Sequence, residues 1–183
     1  MALGTVELIF AGFGGQGVLL MGRVLSQAAM NRNIYTSFIP SYGPEMRGGT
    51  ANCKVVVSED EVGSPIVETP DVLVALNRPS LERFEKSVKP GGIIIVNSSL
   101  IPDKVKRADV KTYYVACNDI AREAGSEKAA NFAALGGLFA SQAFFSLDDA
   151  EAAIETEVGK KHAQLLEVNK KALREGYKQV TQS

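Results

Sequence analysis

The sequence predicts an α/β protein, a three-layer α/β/α sandwich built on a mostly parallel, mixed sheet. Three observations carry that expectation. Strand-length apolar runs alternate with helix-period segments along the chain. The first run, "VELIFAG" (6–12), leads straight into the glycine turn "GFGGQG" and then a helix. Two further runs, "DVLVALN" (71–77) and "IIIVNSS" (93–99), are almost continuously apolar, as strands covered on both faces are. With 183 residues, 45% hydrophobic and 22% charged, the chain can bury about two-thirds of its unfolded surface in one core. A single domain over 1–183, with a helical tail from about 151, is the expected organisation.

The elements follow in order. After the turn, Val18, Met21, Leu25 and Ala28 recur at spacings of three, four and three, which makes one apolar helical stripe. "NIYTSFI" (33–39) is a second strand, ended by Pro40, and "PSYGPEMRGGT" (40–50) is too rich in Pro and Gly for a helix. "ANCKVVVS" (51–58) puts Ala51, Cys53, Val55 and Val57 on one side and Asn52, Lys54, Val56 and Ser58 on the other. That mixed second face predicts a less buried, antiparallel strand. Pro79 opens a helix that runs to Lys89, where "PGG" (90–92) stops it. "IIIVNSS" and "TYYVAC" (112–117) are the remaining strands. "KAANFAALGGLFASQAFF" (128–145) is apolar all round with small residues in its middle, so it predicts a helix packed deep against neighbours. Ser146 with Asp149 forms a capping box for the next helix. The tail from about 151 to 180 reads as helical, with Leu166, Leu173, Tyr177 and Val180 along one edge.

Composition excludes several functions. With 20 basic and 21 acidic residues scattered along the chain, the net charge of −1 offers no footprint for nucleic acid or an anionic membrane. No apolar stretch approaches the ~20 residues of a membrane span, and "MALGTVELIF" carries no basic leader. Cys53 and Cys117 stand 64 positions apart, without zinc or cluster spacing, and two free thiols in a reducing cytoplasm are the expectation. Cys53, in a strand of apolar neighbours, reads as a small core hydrophobe. His162, the single histidine, lies in the charged C-terminal helix, far in sequence from both glycine loops, and is not expected to be catalytic.

The glycine turn is the first candidate site. Gly12, Gly14 and Gly17 satisfy G-x-G-x-x-G, Gly15 adds a fourth glycine, and Gln16 sits among them in a Rossmann-like strand–turn–helix context. Such a turn brings backbone N–H groups and the positive end of a helix close to an anion, at about 0.3–1 kcal/mol per exposed charge interaction. The dinucleotide fingerprint also needs an acidic residue about 20 positions on, which "NIYTSFIPSYG" lacks. The Walker pattern fails too, because the turn continues "GVLL" rather than Lys-Ser/Thr. Phosphate binding and a purely structural role for the glycines both remain open.

The 40–50 segment is the second candidate. If the second strand runs parallel to the first, this segment leaves the same end of the sheet as the glycine turn. Arg47, beside Gly48 and Gly49, can present a planar fork of donors to a carboxylate or phosphate, and Glu45 can hold that fork in place. The competing reading is a loop salt bridge at a subunit interface. Tyr42 is either an aromatic wall for a ligand or an interface anchor. Asn77, just before Pro79, reads as a helix cap.

Together "GFGGQGV", "PSYGPEMRGGTANC", "PGGIIIVNSS" and "NFAALGG" resemble the gamma subunit of the 2-oxoacid:ferredoxin (acceptor) oxidoreductases, from about residue 6 to 145. The second motif is most similar to the 2-oxoglutarate branch, with the branched-chain 2-oxoacid branch next. The resemblance implies a complex that decarboxylates a 2-oxoacid on thiamine diphosphate and Mg, passes electrons through iron–sulfur clusters to ferredoxin and hands the acyl group to coenzyme A. For 2-oxoglutarate the products are succinyl-CoA, CO2 and reduced ferredoxin. The chain has no Gly-Asp-Gly followed by paired asparagines and no cluster cysteines, so the resemblance places those cofactors on partner alpha, beta and delta subunits. It implies that this chain binds none of them alone, is not active alone, and helps cover the coenzyme A side of the site. The apolar 128–145 helix adds an expectation that the isolated chain self-associates, for instance as a homodimer. A free-standing nucleotide-binding regulatory module is the competing reading.

Overall fold

The computed structural model describes residues 4–41, 50–142, 144–159 and 163–181. Six strands and six α-helices follow in the order β1 (Thr5–Phe13), α1 (Val18–Asn31), β2 (Tyr35–Ser41), β3 (Thr50–Ser58), β4 (Val72–Ala75), α2 (Arg78–Phe84), β5 (Ile93–Asn97), β6 (Lys111–Val115), α3 (Cys117–Ala124), α4 (Ala130–Ser141), α5 (Leu147–Val158) and α6 (Ala163–Thr181). They form one sheet in the order β2-β3-β1-β4-β5-β6. β1, β4, β5 and β6 pair parallel, while β3 runs antiparallel to both β1 and β2. The predicted α/β/α sandwich on a mixed sheet is therefore the fold observed.

The antiparallel β3 agrees with its mixed pattern, but its expected exposure does not. Every described side chain from Ala51 to Ser58 except Lys54 is buried. Strands on both sides and α1 on one face enclose it, and the Ser58 hydroxyl is satisfied by Thr5 Oγ1 at 2.9 Å. Pro40, expected to end β2, lies inside it opposite Cys53. β2 is an edge strand and needs ladder bonds on one side only, which is where a sheet tolerates proline.

The helices show three further departures. α2 begins as predicted, with Asn77 Oδ1 accepting from Ser80 N at 2.9 Å, but it tightens into a 3-10 turn over Glu85–Ser87 and Val88 is already extended. Lys89 lies outside it and reaches Glu7 Oε2 at 2.8 Å and Asp71 Oδ1 at 3.0 Å. α3 had no counterpart in the sequence reading. The tail is divided into α5 and α6, and His162 between them falls outside the described residues. The Ser146–Asp149 capping box opens α5 as expected.

The two outer layers are unequal. On one face α1, α3, α4, α5 and α6 cover Leu8, Phe10, Val55, Val57, Val74 and Ile95. The other face, with Ile9, Ala11, Leu73, Ala75, Ile94 and Val96, is closed by α2 and by side chains such as Val67 and Ile101 from the connecting loops. α4 is buried continuously from Asn131 to Phe139, and α6 lies across it. A Cβ at Gly136 would meet Leu173 O at 2.0 Å and one at Gly176 would meet Ala133 O at 2.0 Å, so the two backbones touch. The apolar surface from which self-association was expected is thus spent inside the chain.

Candidate functional site

β1 delivers the chain to the carboxyl edge of the sheet, where the glycines divide into two kinds. Gly12 is a packing glycine: a Cβ there would lie 2.8 Å from Gln16 Oε1 and 2.9 Å from Val18 Cγ2. Gly17, the N-cap of α1 at φ 76°, has both a left-handed backbone and Asn131 Nδ2 at 2.5 Å from its Cβ position. Gly15 is also left-handed, at φ 93°, but nothing lies within 4 Å of its Cβ position. Its open face is the one a ligand can approach. The turn is closed by Gln16, whose N–H donates to Phe13 O at 3.1 Å and whose Oε1 accepts from Phe13 N at 2.6 Å. Among the described residues no side chain caps the start of α1.

β1 sends its helix to one face and β4 sends α2 to the other, so the strand order switches at the glycine turn, where open α/β sheets form a crevice. A cleft of about 210 Å³ lies there, lined by Gly15, Gln16, Leu76, Asn97 and Asn118, with Glu127, Lys128 and Ala130 along its rim. Amides dominate it. Asn77 Nδ2 donates to Gln16 Oε1 at 3.2 Å, and Asn97 Nδ2 donates to Leu76 O at 3.2 Å and Asn118 Oδ1 at 2.9 Å. Ser99 Oγ accepts from Asn118 N at 3.1 Å and Asp119 N at 3.3 Å, supplying the cap that α3 lacks within its own sequence. On the other side of the turn, Phe13, Leu19, Leu20, Arg23 and Ala51 line an apolar groove of about 290 Å³, to which Gly14, Gly15 and Gly17 also contribute.

The second candidate segment begins beside this groove. Ser41 lies opposite Asn52, and Gly12 opposite Ala51, so β2 ends next to the glycine turn and points the same way as β1. Tyr42, Glu45, Arg47, Gly48 and Gly49 themselves fall outside the described residues. The structure brings Gly12, Gly14, Gly15, Gln16 and Gly17 together as one turn. Sequence reasoning missed Asn97, Asn118, Lys128 and Asn131. Asn97 and Asn118 carry a signal, amides placed where parallel strands end, as in "IIIVN" and "VACN"; Lys128 and Asn131 carry none.

Neither thiol belongs to the site. Cys53 Sγ donates to Val18 O at 3.5 Å inside the core, and burial pushes its pKa up to about 12. Burial pushes Cys117 up as well. A buried neutral thiol is a packing group rather than a nucleophile. Among the described residues no three His, Cys, Asp or Glu side chains gather to hold a metal, and no helix is long and apolar enough to cross a membrane.

Comparison with known proteins places this arrangement. The family model described as pyruvate ferredoxin/flavodoxin oxidoreductase matches residues 7–179. The chain belongs to that family. It is 49% identical over 135 residues to the ketoisovalerate oxidoreductase subunit VorA of Methanothermobacter marburgensis, covering 74% of this chain and 28% of that protein. It therefore spans just over a quarter of the length of that relative. It is 36% identical over 159 residues to the 2-oxoglutarate synthase subunit KorC of Methanothermobacter thermautotrophicus, covering 83% of this chain and 84% of that one. Among solved structures, the gamma subunit of a keto/oxoacid ferredoxin oxidoreductase from Geobacter sulfurreducens matches with a TM-score of 0.84 at 28% identity, over 97% of this chain and 99% of that one.

Proposed function

We propose that this chain serves as the gamma-type subunit of a 2-oxoacid:ferredoxin oxidoreductase acting on 2-oxoglutarate. The observation that carries the reading is the near end-to-end match to a gamma subunit of that class, over 97% of this chain and 99% of the other. The similarity to KorC over most of both chains and the "PSYGPEMRGGTANC" motif support 2-oxoglutarate as the substrate. A branched-chain 2-oxoacid is the second reading, favoured by the 49% identity to a ketoisovalerate subunit. In this reading partner alpha, beta and delta chains carry thiamine diphosphate, Mg and the iron–sulfur clusters, ferredoxin takes the electrons, and the complex works in the cytoplasm.

This chain's own part is to pack against the cofactor-bearing subunits and help hold coenzyme A. The turn fits a phosphate: Gly15 is open, and the first turn of α1 has no side-chain cap on its N–H groups. Arg47 would add a charged fork from the neighbouring segment. The test is steady-state kinetics on the assembled complex with 2-oxoglutarate, 2-oxoisovalerate and pyruvate, run with Arg47→Ala alongside. The variant should raise the coenzyme A KM tenfold to a hundredfold, the loss of about 1.5–3 kcal/mol, and leave the 2-oxoacid KM unchanged. A chain that purifies from its native source without partners would overturn the subunit reading, and an unchanged coenzyme A KM in an intact complex would remove Arg47 from the site.

A further inference from the structure

We infer that a cleft between the β2–β3 pair and the flank of α2 binds a small carboxylic acid with a short apolar body. Its floor follows from the strand register. Asn52 lies opposite Ala11 and Lys54 opposite Ile9, so both side chains leave the sheet on the face that α2 closes. On the β2 side Asn52 is paired with Ser41 and Lys54 with Ile39. α2 packs over β1 and β4, and neither Tyr35 nor Ile39 of β2 joins the apolar cluster beneath it. The layer therefore steps down beyond α2. A cleft of about 460 Å³ occupies the step, floored by Asn52 and Lys54, with Arg83 and Phe84 along one side and Ile39, Pro40 and Ser41 along the other.

The floor departs from its surroundings. Lys54 stands between Ile9 and Ile39 on a face whose other contacts are apolar, and its ammonium has no hydrogen-bond or ion-pair partner among the described residues. Asn52 is 7% exposed, and its side-chain amide has no hydrogen-bond partner among them either. A buried amide left unpaired is destabilising, and a ligand that pairs with it removes that penalty. Breaks of local pattern of this kind are expected where a site is built.

The lining sets both the charge and the body of the ligand. No carboxylate lines the cleft among the described residues. Arg83 stands over the Phe84 ring at 5.2 Å, and the acids beside this pair are engaged elsewhere, Glu82 Oε1 accepting from Arg78 Nε at 2.9 Å and Glu85 Oε1 from Lys106 N at 2.8 Å. Two cations and an amide around one space favour an anion. Ile39, Pro40 and Phe84 favour hydrocarbon next to it. A bare phosphate would leave the apolar sides unused, and a neutral hydrocarbon would leave the floor unpaired. The volume falls within the ~300–1,000 Å³ of small-molecule sites, so a whole small acid fits.

This site goes beyond the subunit reading and does not rest on it: it lies on the face of β3 away from α1 and includes no residue of the glycine turn. The test is nitrogen-15 NMR on the full chain, titrated with isovalerate, acetate, isovaleramide and inorganic phosphate at constant ionic strength. Isovalerate should shift the Asn52 side-chain amide and the backbone amides of Ile39, Lys54 and Phe84 saturably in the millimolar range. Acetate and phosphate lack the apolar body and isovaleramide lacks the charge, so each should bind at least about tenfold more weakly. Lys54→Gln should weaken isovalerate about tenfold, and Lys54→Arg, which restores the charge, should retain it. Tighter binding of 2-oxoisovalerate than of isovalerate assigns the acid to the 2-oxoacids, and weaker binding assigns it to simple acids; both support the site. No saturable shift at Asn52 and Lys54 would leave the cleft a protein contact and overturn the proposal. Equal binding of isovaleramide or phosphate, or undiminished binding by a folded Lys54→Gln variant, would overturn it as well. Every readout uses this chain alone, so failure here is distinct from failure of the subunit reading in the assembled complex.

Discussion

Gly15 and Gly17 share a left-handed backbone two residues apart, yet their surroundings separate a packing role from a ligand-facing one. Asn131 occupies the space a Gly17 side chain would need, whereas the Gly15 side opens to solvent. Asp149 shows the same dependence on neighbours. Burial alone would raise its pKa, but hydrogen bonds from Ser146 N at 2.8 Å, Ser146 Oγ at 2.8 Å and Arg32 Nη1 at 3.1 Å outweigh that and hold the carboxyl below its ordinary value. A depressed folded pKa means stability that is fully present above the unfolded value of about 3.9 and is lost as pH falls through the folded one. Asp149→Asn should therefore cost about 1 kcal/mol at neutral pH, in the range of a lost cap. The gap should narrow as pH falls below about 4 and close as it passes through the depressed folded pKa. Urea unfolding of both proteins across that range checks it, and a gap independent of pH would show that the charge contributes nothing.

At the level of elements, all six strands were legible because each is a strand-length run with its own apolar face or core. α3 was not, because "CNDIAREA" is eight residues long and its cap comes from Ser99, 19 residues upstream of Asn118. Glycines inside "FAALGGLFAS" look unfavourable for a helix until α6 is in place, since a helix-interior glycine costs up to about 1 kcal/mol against alanine. The close crossing reverses that preference. Gly176→Ala gains the same ~1 kcal/mol in propensity but drives a methyl into Ala133 O at 2.0 Å, and overpacking costs about 1–3 kcal/mol or more where backbone must move. Net destabilisation by about 1–2 kcal/mol is expected in denaturant unfolding. A stabilised variant would show that α4 and α6 separate without cost.

At the scale of the whole molecule, the glycine turn was visible in sequence because its residues are consecutive. The amide cleft was not, because it joins residues from 16 to 128 that meet only once the strands lie side by side. The same sheet order produces two faces of unequal thickness, and stability should follow them. Five helices close one face, while on the other α2 and the 98–110 loop share a smaller apolar cluster, with Leu81, Phe84, Ile101, Val105 and Val110, and add polar ties to it. Arg107 Nη1 donates to Glu85 O at 3.1 Å and to Val88 O, Lys106 N donates to Glu85 Oε1 at 2.8 Å, and Val105 N donates to Tyr114 Oη at 2.9 Å. Segments held by few buried apolar contacts open below the global unfolding energy. Hydrogen exchange should therefore show amides in 98–110 and the end of α2 exchanging well before those of β1, β4, β5 and α4. Arg107→Ala removes the link from that loop to Glu85 and Val88 without touching the thick face, so it should speed exchange in 98–110 and the end of α2 and leave α4 and α6 unchanged. If the variant accelerates all segments by the same factor, the thin layer opens only with the entire fold, and the two faces form one cooperative unit despite their different construction.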